Sequence, residues 1–231
     1  KYLSVTYSYE RRPYSNYPDK LAQYLYKKYN LNNYKSLVEF GCGRGDMLRA
    51  FKKLNLNVTG LDLSEEAKTI NDDLNIIVTK ADDKNFIIQK KFDIIFSKSL
   101  IEHLEDPLQF LINCKKILNK NGLIVTLTPS WFHHNFGPFY LDYTHRSPFT
   151  LHSLRDLGYY AGFQNVEVEY FHQLPFTWKY NYLKFIPKII RLLKIPYFPM
   201  YEKMFPNIWP NNLNKLIRFS REVMLVSIIK T

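Results

Sequence analysis

Val38-Glu39-Phe40-Gly41-Cys42-Gly43-Arg44-Gly45-Asp46 follows a short apolar run and precedes a helical pattern at Met47, Leu48 and Phe51. The order is strand, glycine turn, helix. Glycines there accept positive φ and let a ligand approach the backbone with no Cβ in the way, while the first turn of the helix offers unpaired N–H groups. The stretch is therefore a nucleotide-type loop, and spacing decides which nucleotide. A dinucleotide fingerprint, Gly-x-Gly-x-x-Gly or Ala, needs a small residue at position 46, where Asp46 stands. Here the third glycine comes one residue early, at Gly45, and Glu39 stands two positions before the first.

Working outward, Val58-Thr59-Gly60-Leu61-Asp62-Leu63-Ser64 reads as a second strand ending in a carboxylate suited to a ribose diol. Ser64 then caps a helix with Glu65 and Glu66 in its first turn. Asn75 to Thr79 is a third strand that runs out at Lys80-Ala81-Asp82-Asp83, and the near-continuously apolar Phe92 to Ser97 is a buried parallel strand. After it come Glu102-His103-Leu104-Glu105-Asp106-Pro107 and an amphipathic helix through Leu108, Leu111, Ile112, Lys115 and Leu118, expected to stop near Asn121-Gly122. Leu123 to Pro129 is the fifth strand.

The pattern Glu-x-Gly-x-Gly-x-Gly, the acidic end of the second strand and the later Glu-His-Leu-x-Asp-Pro resemble the class I S-adenosylmethionine (SAM)-dependent methyltransferases. The resemblance implies an α/β fold: a seven-stranded, mostly parallel, doubly wound Rossmann-like sheet. To this the sequence adds a helical, basic and aromatic insertion before the last strand. One domain is expected over 1–231, with a lead-in and helix at 1–35, a core at 36–171, the cap insertion at 172–222 and the last strand at 223–231. The resemblance also implies SAM as cofactor. It places Glu39, Gly41, Cys42, Gly43 and Gly45 on the methionine loop, Asp62 with Leu63 at the ribose and Asp82 at the adenine, with Ser97 at the end of the fourth strand. In the family the segment before the core folds over the cofactor. No Asn-Pro-Pro-Tyr type motif follows the fourth strand, where Ser97-Lys98-Ser99-Leu100 stands. That argues against nucleobase amines and leaves oxygen, or a less common nitrogen, as acceptor.

The loop after the fifth strand, Trp131 to Phe149, packs His133, His134, His145, Asp142 and Arg146 among aromatics. Loops at the carboxyl ends of parallel strands line the ligand crevice. A hydroxyl acceptor benefits from a base, and histidine has a suitable pKa. The expected base is His145, with Asp142 as its orienting carboxylate and His134 as competitor, while His103 holds the loop. Arg146 is expected to bind a phosphate or carboxylate on the acceptor, with Tyr143 and His133 lining the same side. A metal held by His133, His134, Asp142 and His145 lacks tight ligand spacing, and none is expected. Asp142 to Phe149, Asp-x-x-His-x-x-Pro-Phe, resembles a segment of bacterial methyltransferases encoded among surface-polysaccharide genes. The expected acceptor is thus a carbohydrate, or a phosphorylated or nucleotide-linked precursor of capsule or lipopolysaccharide.

The chain has 231 residues and a net charge of +11, and from residue 172 onward it carries 10 Lys and Arg against 2 Asp and Glu. Such a tail suits an anionic substrate, a membrane surface or nucleic acid. Two cysteines without zinc spacing suit a reducing cytoplasm, and no apolar run reaches the roughly 20 residues of a spanning helix. Two rivals follow. A lipid or quinone methyltransferase at the inner face of the membrane would use Lys184 to Lys194 as an interfacial helix. An RNA-binding protein with a vestigial cofactor fold would stack bases on Trp178, Tyr180 and Tyr182. The intact glycine loop and Asp62 make the RNA reading the weakest.

Overall fold

The computed structural model describes residue 3 and residues 13–134, 139–193, 216–221 and 223–229. Among these, the apolar runs become β1 (Ser36–Phe40), β2 (Asn57–Asp62), β3 (Ile76–Val78), β4 (Phe92–Lys98), β5 (Leu118–Pro129), β6 (Asn165–Phe171) and β7 (Val223–Ile229). They form one sheet in the order β3-β2-β1-β4-β5-β7-β6. The strands β1 to β5 are parallel, and β7 runs antiparallel to both β5 and β6. The strand order reverses between β1 and β4, and it is outside such a switch point that open α/β sheets bind ligands.

Helices cover both faces because successive strand residues point to opposite sides. Ile95 and Ile124 face one core with Phe110, Leu111 and Cys114 of α4 (Pro107–Ile117) and, beyond the single turn α5 (Trp131–His134), Leu154 of α6 (Leu151–Tyr160). Their neighbours Ile94, Phe96, Leu123 and Val125 face the other, with Leu21 and Leu25 of α1 (Tyr17–Lys28) and Leu48 and Phe51 of α2 (Asp46–Lys52). Phe51 meets Phe96 edge-on at 5.1 Å, and Phe40 meets Phe110 at 5.2 Å. Side chains also begin the helices locally. Ser64 accepts from Glu66 N at the start of α3 (Glu65–Ile70), and Asp106 Oδ1 accepts from Gln109 N with Pro107 in the first turn of α4.

One expected boundary is corrected. Helix α4 ends at Ile117, and Leu118 is already extended and paired with Phe92, so β5 begins before Asn121. Leu118 is fully buried, and strand pairing there overrides the helical spacing. Asn121 supplies the positive φ of 61° inside the strand.

Between β6 and β7, the described part of the insertion forms α7 (Pro175–Lys179), a 3₁₀ turn (Asn181–Lys184) and α8 (Phe185–Leu192); Lys194, Pro196, Pro199, Pro206 and Pro210 lie outside the described residues. Trp178 stacks on Phe171 at 5.4 Å and donates through Nε1 to the His172 carbonyl. It is thereby packed on the sheet, which removes it from the base-stacking platform that RNA binding would need.

Gly60 of β2 makes the close fit between sheet and glycine turn. A Cβ there would lie 2.5 Å from Ile76 Cδ1 and 2.7 Å from Cys42 Sγ. Overpacking of this kind costs about 1–3 kcal/mol. Gly60→Ala is expected to lower the unfolding free energy by that amount, read as a lower urea midpoint at an unchanged slope; an unaltered midpoint would show that the neighbours yield freely.

Candidate active site

The turn after β1 is built as its glycines suggest. Gly41, Gly43 and Gly45 have φ of 68°, 48° and 70°. A Cβ on Gly45 would lie 2.5 Å from Asn71 Oδ1, and one on Gly41 would lie 3.1 Å from Leu100 Cδ1. The Asp62 carboxylate locks the turn to the end of β2, with Oδ2 accepting from Gly43 N at 2.8 Å and Oδ1 from Ser64 N at 2.9 Å. Leu3 lies beside Gly43, its Cδ2 3.5 Å from where a Cβ would sit. Leu3 is the one described residue among residues 1–12, the first part of the segment expected to cover the cofactor.

Two carboxylate atoms near this cradle, Glu39 Oε2 at the end of β1 and Asp82 Oδ1 beyond β3, are buried without a hydrogen-bond partner. Burial, and then the neighbouring Asp62 charge, push the Glu39 carboxyl well above the usual range, against the opposing pull of Lys98. Asp82 uses Oδ2 to accept from Glu105 N and Asp106 N, both at 3.0 Å, while Lys80 Nζ stands 3.8 Å from Oδ1. Leu63 is 69% exposed beside Asp62. A cradle with acidic groups at its centre fits a ligand carrying ammonium and sulfonium charges and offering hydroxyl and amine donors, as SAM does. It would repel a pyrophosphate.

Not every expected residue reaches that surface. The Ser97 side chain is fully buried and its hydroxyl joins Thr126 Oγ1 at 3.0 Å, so it ties β4 to β5. Cys42 is also buried, and its thiol is driven upward in pKa by burial. Only its backbone belongs to the turn.

A second cluster lies past the ends of β4 and β5. The Asp142 carboxylate does not meet His145. It accepts from Thr144 N at 3.0 Å and from Thr144 Oγ1 at 2.6 Å, the self-closing turn that Asp favours two residues on. Because that hydroxyl gives its proton to Asp142, its oxygen accepts from His103 Nδ1 at 2.8 Å. His145 Nδ1 instead donates to the Phe139 carbonyl at 2.6 Å. Both imidazoles therefore carry the proton on Nδ1 and leave Nε2 as an acceptor. The rings stand 4.6 Å apart, edge to face. Glu102 joins them: it is fully buried, its Oε2 accepts from Thr128 Oγ1 at 3.0 Å, and Oε1 has no partner. Burial raises its carboxyl to about 7.

His103 thus stands with His145, where the sequence suggested only a loop-holding part, and Glu102 was missed. The signal for both was the Glu-His pair placed at the carboxyl end of β4, opposite the loop that follows β5. Lys98, whose charge reaches both Glu39 and Glu102, was passed over as well. The four residues weighed and set aside as metal ligands, His133, His134, Asp142 and His145, do not form such a group among the described residues. Among the described residues, one donor atom each of Glu102, His103 and His145 lie within 4.8 Å of one another.

The remaining residues are placed as follows. His134 Nδ1 bonds the Ser130 carbonyl at 3.0 Å, and burial lowers its pKa to about 4, so it is neutral at pH 7. His133 bonds Ser130 Oγ and contacts Arg191 of α8. Arg146 pairs with Glu105 at 3.1 Å, and Glu105 also takes Lys80 at 2.7 Å. Tyr143 is 91% exposed at the mouth of the loop.

Fold and cradle together define a SAM-dependent methyltransferase. The chain belongs to the family described as "Methyltransferase domain", whose sequence profile matches residues 9–168. It is 28% identical over 113 residues to a ubiquinone biosynthesis O-methyltransferase of Actinobacillus pleuropneumoniae, covering 44% of this chain and 48% of that one. A protein of the same name from Glaesserella parasuis is 29% identical over 123 residues, covering 48% and 52%. The chain spans about half the length of the curated relatives it matches. In structure it resembles a SAM-dependent methyltransferase from Archaeoglobus fulgidus, with a TM-score of 0.63, 19% identity and coverage of 97% and 98%. It also resembles the plantazolicin methyltransferase BpumL in complex with S-adenosylhomocysteine (SAH), with a TM-score of 0.62, 20% identity and coverage of 96% and 88%. At these identities the likeness speaks for the fold.

Hydrogen bonds to a charged group contribute about 1.5–3 kcal/mol. Asp62→Ala is therefore expected to weaken SAH binding by at least tenfold in a calorimetric titration; an unchanged affinity would remove Asp62 from the ribose.

Proposed function

We propose that the protein transfers a methyl group from SAM to a hydroxyl of an apolar, aromatic acceptor carried at a membrane surface. SAM, when bound, supplies a methyl already activated on a sulfonium. The cradle residues Gly41, Gly43 and Gly45 would hold its methionine part, Asp62 the ribose and Asp82 the adenine amine. Glu39 would stabilise its positive charge. The Nε2 atoms of His103 and His145 are then the acceptors available to a hydroxyl proton, and Phe139, against which His145 packs at 4.6 Å, keeps that side apolar.

The observation that carries the acceptor class is α8. Phe185, Ile189, Leu192 and Leu193 are 53%, 48%, 73% and 64% exposed, one apolar stripe at helical spacing beside the exposed Lys184 and Lys188. Arg191 ties the helix to His133, in the same loop as His145. Exposed Phe132, Leu141 and Tyr143 continue the apolar rim from that loop. An amphipathic helix with its apolar face outward and cations at its edge suits an anionic lipid surface. No helix of the described residues is long and apolar enough to cross a membrane. The curated relatives named as ubiquinone biosynthesis O-methyltransferases agree with such an acceptor. The Asp142 to Phe149 pattern supports a second reading, a carbohydrate hydroxyl in a surface-glycan precursor, for which Arg146 would have to leave Glu105.

SAH release measured with catechols and hydroquinols in detergent, against sugars and sugar nucleotides, separates the two readings. Turnover with the first group is expected; turnover confined to the second would overturn the acceptor class. With the accepted substrate, His145→Ala is expected to cut turnover by about 10²–10⁴. The SAH affinity should stay near normal, and a variant with full turnover would place hydroxyl activation elsewhere. Co-sedimentation with phosphatidylglycerol vesicles should fall in Leu192→Glu and in raised salt, and binding indifferent to both would detach α8 from the membrane.

A further inference from the structure

We propose that Glu102, His103 and His145 form a binding site for one divalent first-row transition cation, whose open position receives the acceptor hydroxyl. The site deepens the hydroxyl-transfer reading and rests on it for its role, though not for its existence. Three residues converge from two parts of the chain. Glu102 and His103 come from the short 3₁₀ turn Ile101–His103 after β4, and His145 comes from the loop after β5. A donor atom of each lies within 4.8 Å of the other two. Ligand bonds of about 2.0–2.2 Å set neighbouring donors of one cation about 3–3.5 Å apart, so the three side chains close on it by drawing in by about an ångström.

Each ligand is already prepared. A cation needs imidazole nitrogens without protons, and metal-bound histidines donate their other N–H to a carbonyl or carboxylate. His145 Nδ1 donates to the Phe139 carbonyl, and His103 Nδ1 donates to Thr144 Oγ1, which is oriented by Asp142. In the neutral imidazoles these hydrogen bonds place the proton on Nδ1 and leave Nε2 open to a cation. The third ligand is the independent sign of a missing partner. Glu102 is fully buried, is fixed through Oε2 by Thr128, and keeps Oε1 without a hydrogen bond in the interior. A buried carboxylate oxygen left unpaired is costly, and on a residue grouped with two imidazoles it is what a cation would satisfy.

The backbone holds the geometry, since Arg146 N and Ser147 N both donate to the Glu102 carbonyl, at 2.8 and 3.0 Å. The loop after β5 is thus pinned to the turn after β4 at the ligands themselves. Two imidazoles and one carboxylate leave coordination positions open and suit first-row transition cations rather than calcium. With both Nε2 atoms on the cation the imidazoles act as ligands and no longer take the hydroxyl proton; a hydroxyl bound at an open position would instead lose its proton to solvent more readily, as metal-bound water does, and the oxygen would keep the electron pair.

The experiment uses the full chain freed of any affinity tag and dialysed against EDTA, titrated with MnCl2 by electron paramagnetic resonance and with ZnCl2 by calorimetry, without SAM or acceptor. One site per chain is expected, weakened at least tenfold in Glu102→Gln and in His145→Ala and unchanged in the exposed-site control His152→Ala. Thermal unfolding and SAH binding of the variants establish that they are folded. Absence of a stoichiometric site for both cations, or equal affinity in Glu102→Gln, would overturn the site. Turnover on a proven acceptor should fall at least tenfold in the EDTA-treated protein and return with the cation. Binding as expected with turnover indifferent to its removal would overturn the hydroxyl's place on the cation, while absence of turnover with every hydroxyl acceptor would instead overturn the transfer reading and leave the binding result standing.

Discussion

The hydrogen bond from Gly43 N to the Asp62 carboxylate is the constraint on which the site depends. It joins the turn after β1 to the end of β2 at the point where the backbone is held at positive φ, and it succeeds because nothing at Gly41, Gly43 or Gly45 obstructs it. The sheet supplies the rigidity. β1 is flanked by parallel partners on both sides, and Gly41 N donates to the Leu61 carbonyl at 2.7 Å. Strand ends, turn and first helical N–H groups are therefore presented as one fixed surface.

That surface is acidic where a dinucleotide site is built to receive phosphate. The Asp62 charge stands close enough to disfavour that of Glu39, a cost that a bound cation would relieve. Lys98 offsets part of it and reaches Glu102 as well, so the cofactor cradle and the histidine cluster share one electrostatic environment across the end of β4. Methyl donor and acceptor would then be held on either side of that strand end.

Much of this was legible in the sequence, and for physical reasons. Unbroken apolar runs announce buried parallel strands, and the spacing Gly41, Gly43, Gly45 with Asp62 at the next strand end announces the cradle. What was not legible depends on choices made in three dimensions. Asp142 and His145 have a spacing that suggests a pair, yet the Asp carboxylate closes on Thr144 two residues on and hands its orienting effect to His103. Glu102 is fully buried, which no local pattern reveals. Ser97 has its place at the end of β4 but turns its side chain into the sheet. The hydrophobic face of α8 was visible as a periodicity; its outward direction was not.

The central claim is that a cationic methionine derivative, and no pyrophosphate ligand, occupies the turn after β1. A crystal structure of the protein grown with SAH addresses it most directly. The account predicts the methionine part against Gly41 to Gly45, the ribose hydroxyls on Asp62 and the adenine amine on Asp82 Oδ1. Ligand density seated elsewhere, with the Glu39 and Asp82 carboxylates turned away from it, would contradict the account.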